Sequence, residues 1–125
     1  ALDVELTICG RTVHVLNTHL GLWPRERPQQ ADRLLELLAL SRRDLTILMG
    51  DLNEWHGWGK SLRGLRRVFG SPAAPVTFPA RWPVLALDRI WIFPAQALLT
   101  VEAHDTPRSR LASDHLPVKA DIYLP

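Results

Sequence analysis

The stretch Leu45-Thr-Ile-Leu-Met-Gly-Asp-Leu-Asn-Glu54 decides the fold of this 125-residue chain. Its apolar part, residues 45–49, is short and bounded by polar residues, which predicts a strand buried on both faces. Gly50 then permits a turn without a Cβ penalty. Asp51 and Asn53 stand two residues apart, so their side chains point the same way while the chain stays extended. Such a pair suits a hard cation or a water beside a phosphate, and an Asx-type turn is the alternative interpretation.

The composition predicts one globular domain with a single core. Hydrophobic residues make up 46% of the chain and charged residues 22%, which is typical of folded proteins. No apolar run reaches the length of a membrane span, and no signal peptide is visible. The one cysteine, Cys9, excludes an internal disulfide and a cysteine-based zinc site, and its apolar setting predicts a buried thiol. Basic clusters such as Arg42-Arg43 either face a phosphate-rich partner or are solvated.

Segments of strand and helix character surround the central stretch. Further strands are predicted over residues 4–9, 13–18, 86–93, 97–103 and 116–124, the first two forming a hairpin. Apolar residues at helical spacing predict helices over 28–40 and 60–69, the second ended by Gly70. A helix that leads into a buried strand is typical of a layered α/β or α+β domain.

Polar side chains recur where the predicted strands begin or end. They are, in chain order, His19, Asp51 with Asn53, Asp88, and Asp114 with His115. Open sheets build binding sites along one such edge, so these groups together predict one site. Each also has a structural alternative. His19 alone would be a satisfied structural histidine, Asp88 a weak ion pair with Arg89, and Asp114-His115 the cap of a loop.

Four motifs carry a resemblance to a known superfamily. They are Asn17-Thr-His-Leu20, Gly50-Asp-Leu-Asn53, Leu87-Asp-Arg-Ile90 and Ser113-Asp-His-Leu-Pro-Val118. In order and spacing they resemble the endonuclease/exonuclease/phosphatase superfamily, which includes pancreatic-type deoxyribonucleases, abasic-site endonucleases, neutral sphingomyelinases and inositol polyphosphate 5-phosphatases. Thr77-Phe-Pro79 also resembles bacterial members of unassigned substrate. A soluble protein of the bacterial cytoplasm is therefore expected, although no targeting sequence indicates the cellular compartment.

The resemblance implies an α+β fold, the four-layered αββα sandwich of the DNase I-like type, which is built from two similar halves. The chain matches only the C-terminal half, so residues 1–125 are expected to form one partial domain. A metal-binding Glu and an Asn of the N-terminal half have no counterpart here. Because Ala1 already stands in strand-like sequence without an initiator Met, we expect a piece of a longer polypeptide. The missing N-terminal half, or self-association, would then complete the sandwich.

The resemblance also implies an activity and an ion. It implies a metal-dependent phosphoesterase that hydrolyses a phosphodiester by attack of an activated water. Nucleic acid is the default substrate, with a phospholipid or sugar phosphate as alternatives. Mg²⁺ is the expected cofactor, with Mn²⁺ as a second choice, near Asp51, Asn53 and Asp114. A non-catalytic or truncated half-domain, which folds or binds but lacks activity alone, is the hypothesis of another class.

The implied catalytic roles fall on five side chains. Asp51 would orient and deprotonate the attacking water, and Asn53 would hold that water or a phosphoryl oxygen. His115 would contact the phosphate, and Asp88 would fix its ring and keep it cationic. His19 would donate to another phosphate oxygen or assist the leaving group.

Aromatic and basic side chains on the adjoining loops are the candidates for substrate contact. They are Trp23, Arg25, Trp55 and Trp58. A phosphate-rich substrate would use the arginine, and either nucleobase stacking or a lipid surface would use the indoles. Ordinary loop packing is the alternative for each of them.

Overall fold

The structure is a computed structural model that describes residues 1–40, 44–55 and 59–124. Its elements follow in the order β1 (Leu2–Ile8), β2 (Arg11–His19), α1 (Arg27–Leu40), β3 (Leu45–Asp51), α2 (Lys60–Phe69), β4 (Asp88–Phe93), a 3-10 turn (Ala95–Ala97), β5 (Leu98–Ala103), α3 (Ser109–Ala112) and β6 (Val118–Ile122). The predicted Trp58 contact and the Arg42-Arg43 cluster lie outside the described residues. Within the described ranges, no helix is long and apolar enough to cross a membrane.

The main sheet has the strand order β1-β2-β3-β4. β1 and β2 form the predicted antiparallel hairpin, β3 runs parallel to β2, and β4 runs antiparallel to β3. A parallel pair needs a crossover connection, and α1 supplies it between β2 and β3. The predicted central strand is thus confirmed as an interior strand, paired on both sides.

One face of this sheet packs against α1 and α2. Leu16, Leu48 and Trp91 of adjacent strands meet the helices in a single buried cluster. Phe69 at the end of α2 stacks at a tilt on Trp91, with ring centroids 6.0 Å apart. Burial of apolar side chains at about 1.5–3 kcal/mol each makes this cluster a main source of stability.

The opposite face packs in part against the second sheet, which consists of β5 and β6. Val13, Leu45 and Ile92 form a second buried cluster with Ala97, and Leu98 and Ile122 pack against it. The described chain therefore has three layers, in the order helix, sheet, sheet. On β1 the same face remains in water, where Leu2 is 61%, Leu6 42% and Ile8 41% exposed.

Several predicted boundaries were wrong for identifiable reasons. β2 continues to His19, beyond the predicted end at residue 18, because His19 still pairs with Asp51 of β3. Between β5 and β6 lies the short helix α3, which was not predicted, and its entry is held by reciprocal hydrogen bonds between Thr106 and Ser109. Cys9 is exposed, not buried, because it occupies the β1–β2 turn with a positive φ of 51°.

Candidate active site

Three of the predicted site residues lie in one row across the sheet. His19 of β2 is the register partner of Asp51 of β3, which is in turn the register partner of Asp88 of β4. Side chains of register partners in neighbouring strands stand on the same face, about 5 Å apart at their Cβ atoms. The sheet therefore brings together a histidine and two carboxylates that are far apart in sequence. His19 is largely exposed, whereas Asp51 is mostly covered.

The turn after β3 holds the Asp51 carboxylate in place. The Asn53 backbone N–H donates to Asp51 Oδ1 at 2.8 Å, an Asx-type hydrogen bond. Asn53 has a φ of 49°, a left-handed conformation that asparagine tolerates better than most residues. Its side-chain Nδ2 donates to the Leu20 carbonyl at 2.7 Å, and the residue is buried. Asp51 and Asn53 therefore form the Asx turn that was the alternative interpretation of this pair.

Gly50 allows β2 and β3 to come together directly before Asp51. Its φ of 132° lies in a region that residues with a Cβ rarely adopt. A Cβ at this position would also overlap the backbone carbonyl of Thr18 on β2. The glycine is therefore required by both the backbone conformation and the close approach of the neighbouring strand.

His115 joins the row from the segment before β6. Its Nδ1 lies 2.8 Å from Asp88 Oδ2, and its ring packs on Phe78 with centroids 4.8 Å apart. The same Asp88 oxygen accepts a hydrogen bond from the Thr77 hydroxyl, and Thr77 is fully buried. The Leu116 N–H donates to the Thr77 carbonyl at 2.9 Å, which ties the two segments together. Thr77 was missed as a site residue. The resemblance of Thr77-Phe-Pro79 to bacterial family members was the signal that could have found it, because its proline-rich loop has no periodic pattern.

The surroundings of His115 favour its protonated form. Burial is the largest single influence and lowers the pKa of the imidazole. The hydrogen bond to Asp88, together with the negative charges of Asp88, Asp51 and Asp114, outweighs burial and raises the pKa above its ordinary value. Since Nδ1 faces Asp88, the ring presents Nε2 toward Asp51, at 3.9 Å from its Oδ2.

The donor atoms present fit a divalent metal ion. One ligand atom each from Asp51, Asp88 and His115 lie within 4.8 Å of one another. Asp88 Oδ2 is engaged by Thr77 and His115, and Asp51 Oδ1 by the Asn53 N–H, so each carboxylate has its second oxygen for an ion. Mg²⁺ commonly uses one or two carboxylates and completes its shell with water and substrate phosphate. His19 Nε2 lies 3.6 Å from Asp51 Oδ2, on the exposed side of the cluster.

The other two predicted metal residues lie outside this cluster. The Asn53 amide is turned to the Leu20 carbonyl, and Asp114 is exposed. The Asp114 backbone carbonyl accepts a hydrogen bond from Ala80 at 2.6 Å, which anchors the loop that carries His115. Asp114 therefore reaches the site through its charge on His115.

An open cavity of about 360 Å³ adjoins the row of acidic and histidine side chains. Asp88 and His115 line it at one end, with Asn17, Met49 and Ser113 among its other walls. Asn17 and Ser113 belong to the four motifs, but neither had been singled out as a site residue. Met49 reaches the cavity because it is two residues before Asp51 on the same strand face.

The predicted substrate-contact residues do not all lie together. Trp23 and Arg25 are exposed in the segment that leaves β2 after His19, and Trp23 is 71% exposed. Trp55 is 62% exposed and lines a different cavity, with Arg66 and Arg89, on the helix side of β4.

The chain is similar to known proteins in both sequence and structure. The chain is 35% identical over 124 residues to the uncharacterized protein YbhP of Escherichia coli, an alignment that covers 92% of this chain and 48% of YbhP. A mutant beta toxin from Staphylococcus aureus with bound magnesium ions superposes with a TM-score of 0.72 at 18% identity, covering 95% of this chain and 56% of the toxin. D. rerio TDP2 complexed with a single-strand DNA product gives a TM-score of 0.66 at 17% identity, covering 98% and 60%.

The two structural likenesses confirm the predicted DNase I-like α+β fold. The chain spans about half the length of the curated relatives it matches. The sequence model of the Endonuclease/Exonuclease/phosphatase family matches residues 3–115, which include all four motifs up to His115. The chain therefore belongs to the endonuclease/exonuclease/phosphatase family.

Proposed function

We propose that this chain carries the catalytic residues of a metal-dependent phosphoesterase, which cleaves a phosphodiester by attack of an activated water. One observation carries the proposal: His19, Asp51, Asp88 and His115 converge at one end of the main sheet, beside an open cavity. Hydrolysis of a phosphate ester needs a cation on the phosphoryl oxygens and a base for the water, and this group offers both.

His115 is the proposed cationic contact to the phosphate. Its Nδ1 hydrogen bond to Asp88 fixes the ring, and the surrounding carboxylates raise its pKa, which favours the protonated form. Nε2–H is then free to donate to a phosphoryl oxygen on which negative charge grows in the transition state. Thr77 acts through Asp88 as a positioning residue, because its hydroxyl holds the carboxylate oxygen that faces the imidazole.

Asp51 is the proposed base that orients the water and takes its proton. The Asn53 backbone N–H holds one carboxylate oxygen, which leaves Oδ2 directed toward the two histidines. In this proposal Asn53 acts first by positioning Asp51, and its side-chain oxygen can accept a hydrogen bond from the attacking water. His19, exposed at the outer end of the row, would donate to a second phosphate oxygen or to the leaving group.

Magnesium is the proposed ion, with manganese as an alternative. Asp51 would hold it, and Asp88 is the other carboxylate of the same cluster. Asn53 and Asp114 are the further ligands predicted from the sequence. When bound, the ion neutralises charge on the phosphoryl oxygens. The donor set supports this proposal, because hard carboxylate oxygens outnumber the nitrogen ligands. The structurally similar beta toxin with bound magnesium is consistent with it.

Nucleic acid is the proposed substrate. The structural likeness to a TDP2 complexed with a DNA product supports this choice. Exposed Trp23 and Arg25 beside His19 suit stacking and phosphate contact. Phospholipids and sugar phosphates remain the alternative substrates within the same family.

The test is hydrolysis by the full-length protein with Mg²⁺, on single-stranded DNA, RNA, a phospholipid and a sugar phosphate. We expect turnover of nucleic acid, lost in Asp51→Ala and His115→Ala and retained in the exposed control His104→Ala. No turnover of any substrate would favour the non-catalytic half-domain. Loss of activity in the control as well would contradict the specific roles proposed for Asp51 and His115. The hydrolytic activity of the 125-residue chain is compared with that of the full-length protein, which shows whether this half is active alone or needs the rest of the protein.

A further inference from the structure

Arg89 is a buried cation that faces a cavity on the helix side of β4. It follows Asp88 directly on the strand, so its side chain points to the opposite face of the sheet. Only 6% of Arg89 is exposed, and its Nη1 has no hydrogen-bond partner among residues 1–40, 44–55 and 59–124. A buried charged group with an unmade hydrogen bond is costly, and a bound anion would remove that cost.

A second guanidinium, that of Arg66 on α2, lines the same cavity of about 310 Å³. Burial first, and then the positive charge of Arg66, lowers the pKa of Arg89, while Asp88 and Glu54 raise it. Glu54 is also engaged by Arg27, whose Nε lies 3.9 Å from the carboxylate. Two cations thus approach each other at a cavity wall, an arrangement typical of oxyanion recognition.

The rest of the cavity wall is suited to an organic group attached to such an anion. Trp55, with its indole 62% exposed, forms one side, and Val84 and Leu85 lie among the apolar residues of the wall. An exposed indole beside paired guanidinium groups can stack on a planar ring while the arginines hold a phosphate.

We propose that this cavity is a second anion site, in which Arg66 and Arg89 bind a phosphate-type oxyanion and Trp55 covers the group that the phosphate carries. The site lies on the opposite face of β4 from Asp88 and His115. Among the described residues Arg89 is the one that lines both cavities, and none of the four catalytic candidates lines this one. It therefore goes beyond the proposed hydrolysis and does not depend on it.

The test is a calorimetric titration of the full-length protein with inorganic phosphate, in EDTA and at constant ionic strength. We expect saturable binding that Arg66→Gln weakens by about tenfold or more, since it removes a charged hydrogen-bond donor. The matched control is Arg67→Gln, on the exposed side of the same helix, with an expected change of less than about twofold. Arg89→Lys keeps the charge but loses the bidentate fork, and is expected to weaken binding as well.

His115→Ala distinguishes binding at this site from binding at the proposed active site, because phosphate binding by Arg66 and Arg89 is expected to persist in that variant. Absence of binding by the unaltered protein, equal losses in the Arg66 and Arg67 variants, or loss in His115→Ala would each overturn the proposal. A nucleoside monophosphate distinguishes the sources of the anion. If the nucleoside monophosphate binds more tightly than inorganic phosphate, and Trp55→Ala abolishes that difference, the ligand is a nucleotide. If the two bind with equal affinity, the ligand is free phosphate.

Discussion

Asp88→Asn is the most informative substitution in the catalytic row. The variant keeps the size of the side chain but removes the charge that faces His115 Nδ1 at 2.8 Å. A hydrogen bond to a charged group contributes about 1.5–3 kcal/mol. We take the lower value, about 1.5 kcal/mol, because 25% of the His115 side chain and 21% of the Asp88 side chain remain in water. That value corresponds to about a tenfold loss of kcat if the bond stabilises the cationic ring in the transition state.

The same substitution has a defined effect on the pKa of His115. With the Asp88 hydrogen bond and charge removed, burial dominates, so the pKa of His115 is expected to fall. A raised folded-state pKa contributes stability that is fully present below the unfolded value near 6.5 and lost as pH rises through the folded value. The unfolding free energies of the parent and the variant should therefore differ most below about pH 6.5 and approach each other at higher pH.

Two measurements test this reasoning on the full-length protein. Proton NMR titration of His115 in EDTA reports its pKa, and hydrolysis of bis(para-nitrophenyl) phosphate with Mg²⁺ reports kcat. Asp121→Asn is the matched control, because its carboxylate accepts a hydrogen bond from exposed Thr100. An unchanged His115 pKa in Asp88→Asn would refute the argument, as would a kcat loss equal to that of the control.

Three further predictions concern stability and association. Thr77→Val removes the buried hydroxyl that holds Asp88, and is expected to lower the urea unfolding free energy by about 1–2 kcal/mol, against less than about 0.5 kcal/mol for exposed Thr100→Val. Gly50→Ala should lower the unfolding free energy by about 3 kcal/mol or more, because the added Cβ meets the Thr18 carbonyl. Gly70 also has a positive φ, but the space around it is open, so Gly70→Ala should lower it by about 1 kcal/mol. Equal losses of the two variants in the same unfolding assay would contradict this reasoning. Self-association of the 125-residue chain stays a prediction, which is based on the exposed apolar face of β1. Sedimentation should show an apparent mass that rises with protein concentration, and the rise should be smaller in Leu6→Ser. A monomer at all concentrations would contradict the prediction.

Sequence patterns predicted the elements that form through interactions between residues close together in the chain. The apolar run 45–49 predicted β3, and the helical spacing over 60–69 predicted α2, because each pattern lies within one element. The first hairpin was predicted from two strand patterns that follow each other directly, at 4–9 and 13–18. The contribution of Thr77 could not be predicted in this way. Its hydrogen bond reaches Asp88 across eleven residues, and only the folded path of the loop 71–83 brings the two together.

Strand register explains why Asp88 and Arg89 have such different surroundings. From sequence, their adjacency allowed a weak ion pair on the surface. In the structure the pleat of β4 turns Asp88 toward His115 and Arg89 toward α2, so neighbouring residues with opposite charges serve opposite faces of one strand. A shift of β4 by one residue would exchange the two faces and place a guanidinium in the catalytic row. The pairing of Asp51 with Asp88 is therefore the contact on which both the proposed active site and the proposed anion site depend.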